Sequence, residues 1–366
     1  MSQKKIEISV LNDSDIDHVN DFHNSIYKSK RSRDEFLWEF INAPAGKAIY
    51  IVARDSDNKQ IVGTQSAIPI VLITYSGEKV LTAKSEDTLV HPDYRGLNIF
   101  ENMYQVLFKE CKKKGMKYIW GFTSAKKPFL RLGFSIPFDH SQSLMVKNVL
   151  ASYRYLADLT PGNSQLSRFK IFALCLLSWI YSNKKYRAYS KSNKEKFHSF
   201  VTDKSFVQDT SELLQNSIDE GYSINLDLTF MNWRLANNPY HDKLYSIYFS
   251  SESKNIAYFS FNHHKNGVWY LINDLYTNEL SIQQKTFLLN NAVRILFKKE
   301  KANINLVRTL DFTHNKLGKQ EVRIRKRTGF VHLNRGISFV WKSLDENNVL
   351  DPNKFHLSRI ATQGVV

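Results

Sequence analysis

The chain repeats itself. Trp38-Glu39-Phe40-Ile41-Asn42-Ala43-Pro44 has the form W-x3-N-x-P, and the stretch from Trp233 to Pro239 has it again. Each copy leads into an apolar segment, Ala48 to Ala53 and Leu244 to Phe249, then a polar turn, then a second strand beginning at Ile61 and at Ile256. That order is a hairpin in both copies. Further on, Arg131-Leu132-Gly133-Phe134 is matched by Arg327-Thr328-Gly329-Phe330, 93 residues past the first tryptophan and 94 past the second. Three matches in one order at nearly one spacing imply duplication. The 366 residues also suit two cores better than one.

Each half carries strands around helices. Ile6 to Val10 alternates as a first strand. Ile16, Val19, Phe22 and Ile26 fall at helical spacing over 14–28, after Asp13 as N-cap. Ile99, Met103, Val106 and Leu107 do so over 99–114, with Gly115 as the stop, and the strand Tyr118 to Phe122 follows. Ser281 to Lys299 and Ile304 to Leu310 are the corresponding helix and strand of the second half. Strand–helix–strand order implies some parallel pairing, so the expected fold is α/β with a mixed sheet in each of two tandem domains. Their expected bounds are 1–148 and 196–342, joined by a helical linker over 149–195 and followed by a tail over 343–366 that frays from Ala361.

The linker holds a turn at Pro161 to Ser164 and then a helix from Phe169 to Tyr189. Its run from Ile171 to Tyr181 is apolar on nearly every side and far short of the ~20 residues that span a bilayer. Such a run implies burial between the domains. The rival is an interfacial helix, with Lys184, Lys185 and Arg187 against anionic lipid.

The net charge of +16 favours anionic partners without choosing among phosphates, acidic sugars, lipid or nucleic acid. Nucleic acid is not expected, and membrane-surface contact ranks below a small molecule. Cys111 and Cys175 make neither a disulfide framework nor a zinc site, and His263-His264 in a hairpin turn lack further ligands, so no metal is expected. No apolar run follows Lys4-Lys5, so a secretory leader is not expected, and a cytoplasmic location fits.

The sharpest local signal runs from Leu89 to Phe100: Leu-Val-His-Pro-Asp-Tyr-Arg-Gly-Leu-Asn-Ile-Phe, after a strand and into a helix. Successive backbone N–H groups at such a junction cradle phosphates, helped by the helix dipole. Gly96 lets the backbone approach and Arg95 supplies charge. This segment resembles the V-x-P-x-x-R-G-x-G-x-G/A signature of the GNAT acetyltransferase superfamily. Val90, Pro92, Arg95 and Gly96 match, and Ile99 keeps the apolar position. Asn98 stands for the second glycine and Phe100 for the last small residue. Gly133-Phe134 matches the family's G-F pair. The second half has Leu275 to Leu280 where the loop should be, so a GNAT-like site is expected in the first domain alone, with the second domain degenerate.

The resemblance implies acetyl-CoA as co-substrate and acetyl transfer to a primary amine, with an amino sugar of surface polysaccharide synthesis as the first expectation. It implies binding by Leu89, Val90, Arg95, Gly96, Leu97, Asn98, Ile99, Phe100 and Ser124, with the Leu89 or Val90 N–H polarising the thioester. Glu86 and Asp87 are the candidate bases. Strand alternation puts one of them in the cleft and the other outside, and Glu86 is favoured. His91 fits a turn better than a base. Phe129 stands where the family often has a tyrosine acid, leaving water, Thr123 or Ser124 to protonate the thiolate. Two rivals stand: a tandem-domain aminoacyl or peptidyl transferase, and a non-catalytic CoA-binding scaffold.

Overall fold

The computed structural model describes residues 5–159, 164–189, 197–202, 208–240, 242–252, 254–345 and 350–362. The elements follow the duplication. The first half gives β1 (Ile6–Val10), α1 (Ile16–Tyr27), α2 (Arg33–Phe36), β2 (Ile49–Asp55), β3 (Ile61–Thr74), β4 (Lys79–Val90), α3 (Ile99–Lys113), β5 (Tyr118–Thr123), α4 (Lys126–Arg131) and β6 (Ser141–Val146). Then come α5 (Val149–Asp158) and α6 (Gln165–Tyr189). The second half gives β7 (His198–Thr202), α7 (Ser211–Gln215), β8 (Tyr222–Ile224), α8 (Leu228–Met231), β9 (Leu244–Ser251), β10 (Lys254–His263), β11 (Val268–Tyr276), α9 (Ile282–Glu300), β12 (Leu306–Asp311), α10 (Lys316–Thr328), β13 (Val331–Leu333) and β14 (Ser338–Ser343).

The repeated tryptophan motif is one local structure used twice. Ser32 caps α2 and Asp227 caps α8 through their side chains. Each helix then widens into a π turn, closed by Asn42 N–H to Leu37 O and by Asn237 N–H to Asn232 O, both 2.8 Å. The motif's asparagine therefore ends the helix, and its tryptophan is core: Trp38 and Trp233 are buried.

The described residues form two compact units. One draws on 1–138, 223–225 and 337–353, the other on 139–222, 226–336 and 354–366. In the first, strands run in the order β1-β2-β3-β4-β5-β14, antiparallel except for β4 and β5. One sheet face packs Ile51, Ala53, Val62 and Ala83 against Ile99, Met103 and Leu107 of α3. The second unit has the order β13-β6-β12-β11-β10-β9-β7, with β11 and β12 parallel. There Trp269, Leu271 and Val307 pack on Leu288, Leu289, Ala292 and Val293 of α9.

The units exchange strands, so the sequence boundaries at 148 and 342 do not coincide with theirs. β6 pairs with β12 and β13, while β14 pairs with β5. A repeat reveals matching segments, but not which copy each terminal strand completes, because an alternating strand satisfies any suitable edge. The tail is also corrected. Ile360, Ala361 and Thr362 are buried, and Arg234 donates to Ile360 O at 3.3 Å. Residues 161–163 of the expected turn and 363–366 of the expected tail lie outside the described residues.

The expected burial of the linker helix is overturned. α6 turns Cys175, Ser178 and Ser182 inward and leaves Leu166, Phe169, Leu176, Leu177, Trp179 and Ile180 exposed. Its small residues permit a close fit: Ser182 Oγ donates to Gly329 O at 2.7 Å, and a Cβ on Gly329 would stand 3.2 Å from Ser182.

Candidate functional site

The site of the first unit begins as a break in its own sheet. β4 and β5 pair only at Ala83–Ile119 and Lys84–Trp120. Gly121 then lets the strands pass closely, since a Cβ there would stand 3.0 Å from Ser85 O. Beyond it the facing edges of β4 and β5 form no further ladder. His91 N–H donates to Val62 O at 2.8 Å. Alternation along the antiparallel β3–β4 ladder therefore turns Leu89 N–H toward β3 and leaves Val90 N–H toward the gap.

β4 also bulges. The β3–β4 register slips between Thr64 and Ser66, and Asp87 takes φ 52°. Hydroxyls on β3 hold the bulge: Thr64 Oγ1 donates to Asp87 O at 3.0 Å and Ser66 Oγ to Glu86 O at 2.9 Å. The extra residue cancels the alternation. Glu86 pairs with Lys84, and Asp87 meets Tyr50. Both carboxylates thus emerge on the sheet face away from α3, since Ala83, Ile49 and Ile51 occupy the α3 side. This corrects the expectation that alternation puts the two on opposite faces of the strand.

The two differ in their surroundings. Asp87 is buried and bound on several sides: Arg31 Nη1 donates to it at 2.8 Å, Tyr50 OH donates to it, and His23 Nε2 lies 3.6 Å away. Burial pushes the Tyr50 phenol well above its usual range, so it stays a donor to Asp87. Asp87 therefore serves as the anchor of an ion-pair network. Glu86 is held by Lys84 and keeps more exposure.

The loop after β4 has the backbone the signature implies. Pro92–Tyr94 make one 3-10 turn, Gly96 has φ 86° and Asn98 has φ 56°. Asn98 heads α3 but makes no side-chain cap, so the first N–H groups of α3 are not claimed by it. Arg95, Gly96, Leu97 and Asn98 are exposed around this open end, and among the described residues Arg95 makes no ion pair. Leu89 and Ile99 are buried, so their side chains serve the core. Ser124 is exposed, and Thr123 Oγ1 accepts from Ala125 N–H at 3.0 Å in the turn before α4. His91 likewise caps its turn, accepting from Asp93 N–H at 3.3 Å. It also borders a side cavity of about 580 Å³ walled by α1 and the β2–β3 turn, with His18, Asp21 and Arg54.

The sequence departures have packing reasons. Phe100 packs on Tyr104 and Phe129, with ring centroids 4.8 and 5.5 Å away, and Phe129 continues to Phe134 at 5.1 Å. The position of the missing tyrosine is thus part of an aromatic core. Besides Tyr50, which is committed to Asp87, the Tyr104 phenol reaches β4 from α3, unmarked in the sequence because it sits among the core residues of that helix. Its OH lies 2.7 Å from Ser85 Oγ, which accepts from Gln65 Nε2 at 3.1 Å, and Gln65 accepts from Thr88. Burial raises the Tyr104 phenol, so it holds its proton.

Residues 7–136 match the model of the acetyltransferase (GNAT) domain. This segment is a GNAT domain. No curated protein matches the chain. Among solved structures it is similar to a tandem GNAT protein from the clavulanic acid biosynthesis pathway, at 12% identity and TM-score 0.57, over 94% of this chain and 100% of that one. It is also similar to a GCN5-related N-acetyltransferase from Kribbella flavida, at 10% identity and TM-score 0.58, over 93% and 72%. A third is Saccharomyces cerevisiae N-myristoyltransferase with bound myristoyl-CoA and inhibitors, at 13% identity and TM-score 0.59, over 99% and 87%. The chain as a whole thus has the tandem GNAT fold. Among the described residues, no helix is long and apolar enough to cross a membrane.

Proposed function

We propose that the first unit is an acyl-CoA-dependent N-acyltransferase, with acetyl-CoA as donor and a primary amine as acceptor. The observation that carries it is the gap between β4 and β5 beside the uncapped start of α3. The N–H groups around Gly96 and Asn98, with Arg95, would hold the pyrophosphate. The pantetheine arm would lie in the gap, and Val90 N–H would polarise the thioester carbonyl.

The neutral amine attacks the carbonyl carbon and the C–S bond breaks. Glu86 takes the proton lost by the amine, and the departing sulfur gains one. Tyr104 is the phenol best placed to supply it, through Ser85. The net charge of +16 supports a phosphorylated or nucleotide-linked amino sugar as acceptor. Saccharomyces cerevisiae N-myristoyltransferase carries myristoyl-CoA, so longer acyl donors belong in the test.

A second reading, a CoA-binding scaffold without turnover, draws on Phe129 and on the engagement of both carboxylates. Titration should find one acetyl-CoA per chain, with Arg95→Glu weakening it by about 100-fold or more. Glu86→Gln should cut turnover on an amine panel by about 100-fold at near-normal CoA affinity. Two equivalent sites, or an unchanged affinity in Arg95→Glu, would overturn the assignment. CoA binding with no turnover on any amine would favour the scaffold.

A further inference from the structure

We propose that the second unit docks on an anionic membrane surface through the outer face of α6 and the basic face of α10. The apolar half of this surface is the stripe of Leu166, Phe169, Leu176, Leu177 and Ile180. These residues fall on one side of the helix over roughly 21 Å. Phe169 is 67% exposed, Leu177 64% and Ile180 50%, and Trp179 stands at the edge. Scattered exposed apolar residues are ordinary, but a continuous stripe this long marks an interaction surface.

The second half is electrostatic. Lys319, Arg323, Lys326 and Arg327 recur at i, i+4, i+7 and i+8 on α10. With Lys185 and Tyr181 of α6 they line a shallow cavity of about 290 Å³. None of these five cations makes an ion pair among the described residues. The acid on α10, Glu321, is turned to the buried Arg325. Tyr181 follows Leu177 by one helical turn, and its OH donates to Lys326 O at 2.9 Å. The cationic groove therefore starts at the border of the apolar stripe.

Charge decides the occupant. α6 has no acidic residue, and both its ends are basic, with Arg168 and Lys170 at one and Lys184 and Lys185 at the other. A second copy would bring like charges together whether the helices met parallel or antiparallel. A nucleic acid would satisfy the groove and leave the stripe in water. An anionic bilayer satisfies both, with acyl chains for the stripe, headgroup phosphates for the cations and the boundary for Trp179.

The test uses the full chain and phosphatidylcholine vesicles containing one third phosphatidylglycerol, at physiological salt. The protein should sediment with these and not with pure phosphatidylcholine, and its tryptophan emission should shift to the blue unless Trp179→Phe is present. Lys319→Gln/Arg323→Gln/Lys326→Gln should weaken partitioning by roughly 100-fold. Phe169→Ser/Leu177→Ser/Ile180→Ser should weaken it by about tenfold or more. Both sets replace exposed side chains, and an unchanged unfolding midpoint confirms the fold. Failure to bind anionic vesicles would overturn the proposal. So would binding that ignores the stripe changes and is displaced by inorganic polyphosphate or RNA, or a dimer that the stripe changes convert to monomer.

Discussion

The two halves place the same pieces in the same order and finish them differently. α3 starts at Asn98 without a side-chain cap, after a loop with Gly96 in the left-handed region. α9 starts with a closed capping box: Ser281 Oγ accepts from Gln284 N–H at 3.2 Å, and Gln284 returns an acceptor to Ser281 N–H at 2.9 Å. Its first donors are satisfied from within. The sheets differ in the same sense. In both, the central parallel pair zips only briefly. Counting back four residues from Gly133 and Gly329 gives Phe129 in one half and Arg325 in the other. Phe129 joins an aromatic cluster. Arg325 spans the second gap, with Nη2 2.5 Å from Asp274 on β11 and Nη1 2.7 Å from Asp311 on β12. One scaffold thus keeps a cleft, while the other is bolted by an ion pair. The difference at the gap rests on a few side chains, while both sheets keep the central parallel pair.

The largest expected effect comes from drawing that bolt. Arg325→Ala leaves Asp274 and Asp311 buried without their cation, and should cost about 3–5 kcal/mol of stability by denaturant unfolding. A cost below about 1 kcal/mol would show that His332 and Ser143, both 2.6 Å from Asp311, suffice.

A smaller effect is expected in the open half. Tyr104→Phe keeps the ring in its aromatic cluster and removes the hydroxyl, so kcat should fall by about 100-fold with CoA affinity nearly unchanged. A change under about threefold would return the proton to water.

The smallest is a pH slope. Burial first, then Lys265, Arg359 and Arg308, push His264 down from 6.5 to about 4. The unfolded chain therefore takes a proton that the folded second unit refuses. Stability is full above pH 6.5 and is lost as pH falls from there toward 4. In the first unit burial also lowers His23, but Asp87 opposes it. Urea midpoints measured near neutral pH and near pH 5 should converge more in His264→Gln than in His23→Gln.

The duplication, the hairpins, α3 and the loop at 95–98 were legible because each rests on local rules: apolar spacing, turn chemistry and the tolerance of glycine and asparagine for positive φ. The bulge was not, because a slipped register depends on Thr64 and Ser66 of another strand holding its carbonyls. That slip decides where Glu86 and Asp87 point. The outward face of α6 was hidden for a different reason. Large apolar residues lie on nearly every side, and the inward face is chosen by the small Cys175, Ser178 and Ser182, which the usual reading of hydrophobicity ranks low. Tyr104 was masked by its setting, since a tyrosine among core residues passes for packing.

The exchange of β14 into the first unit bears on how the chain is born. β5 leaves the ribosome roughly 200 residues ahead of its neighbour, a delay of about 10–40 s at ordinary elongation rates. Throughout it, the outer edge of a strand carrying Trp120 and Phe122 is an unfilled template for any passing strand. Trp341 stacks on Tyr118 at 4.6 Å and Phe339 on Phe138 at 4.7 Å, so the missing strand also brings the aromatic cover for that edge. A gene cut after residue 138 would therefore yield a chain that holds the whole family match and still cannot seal its own sheet.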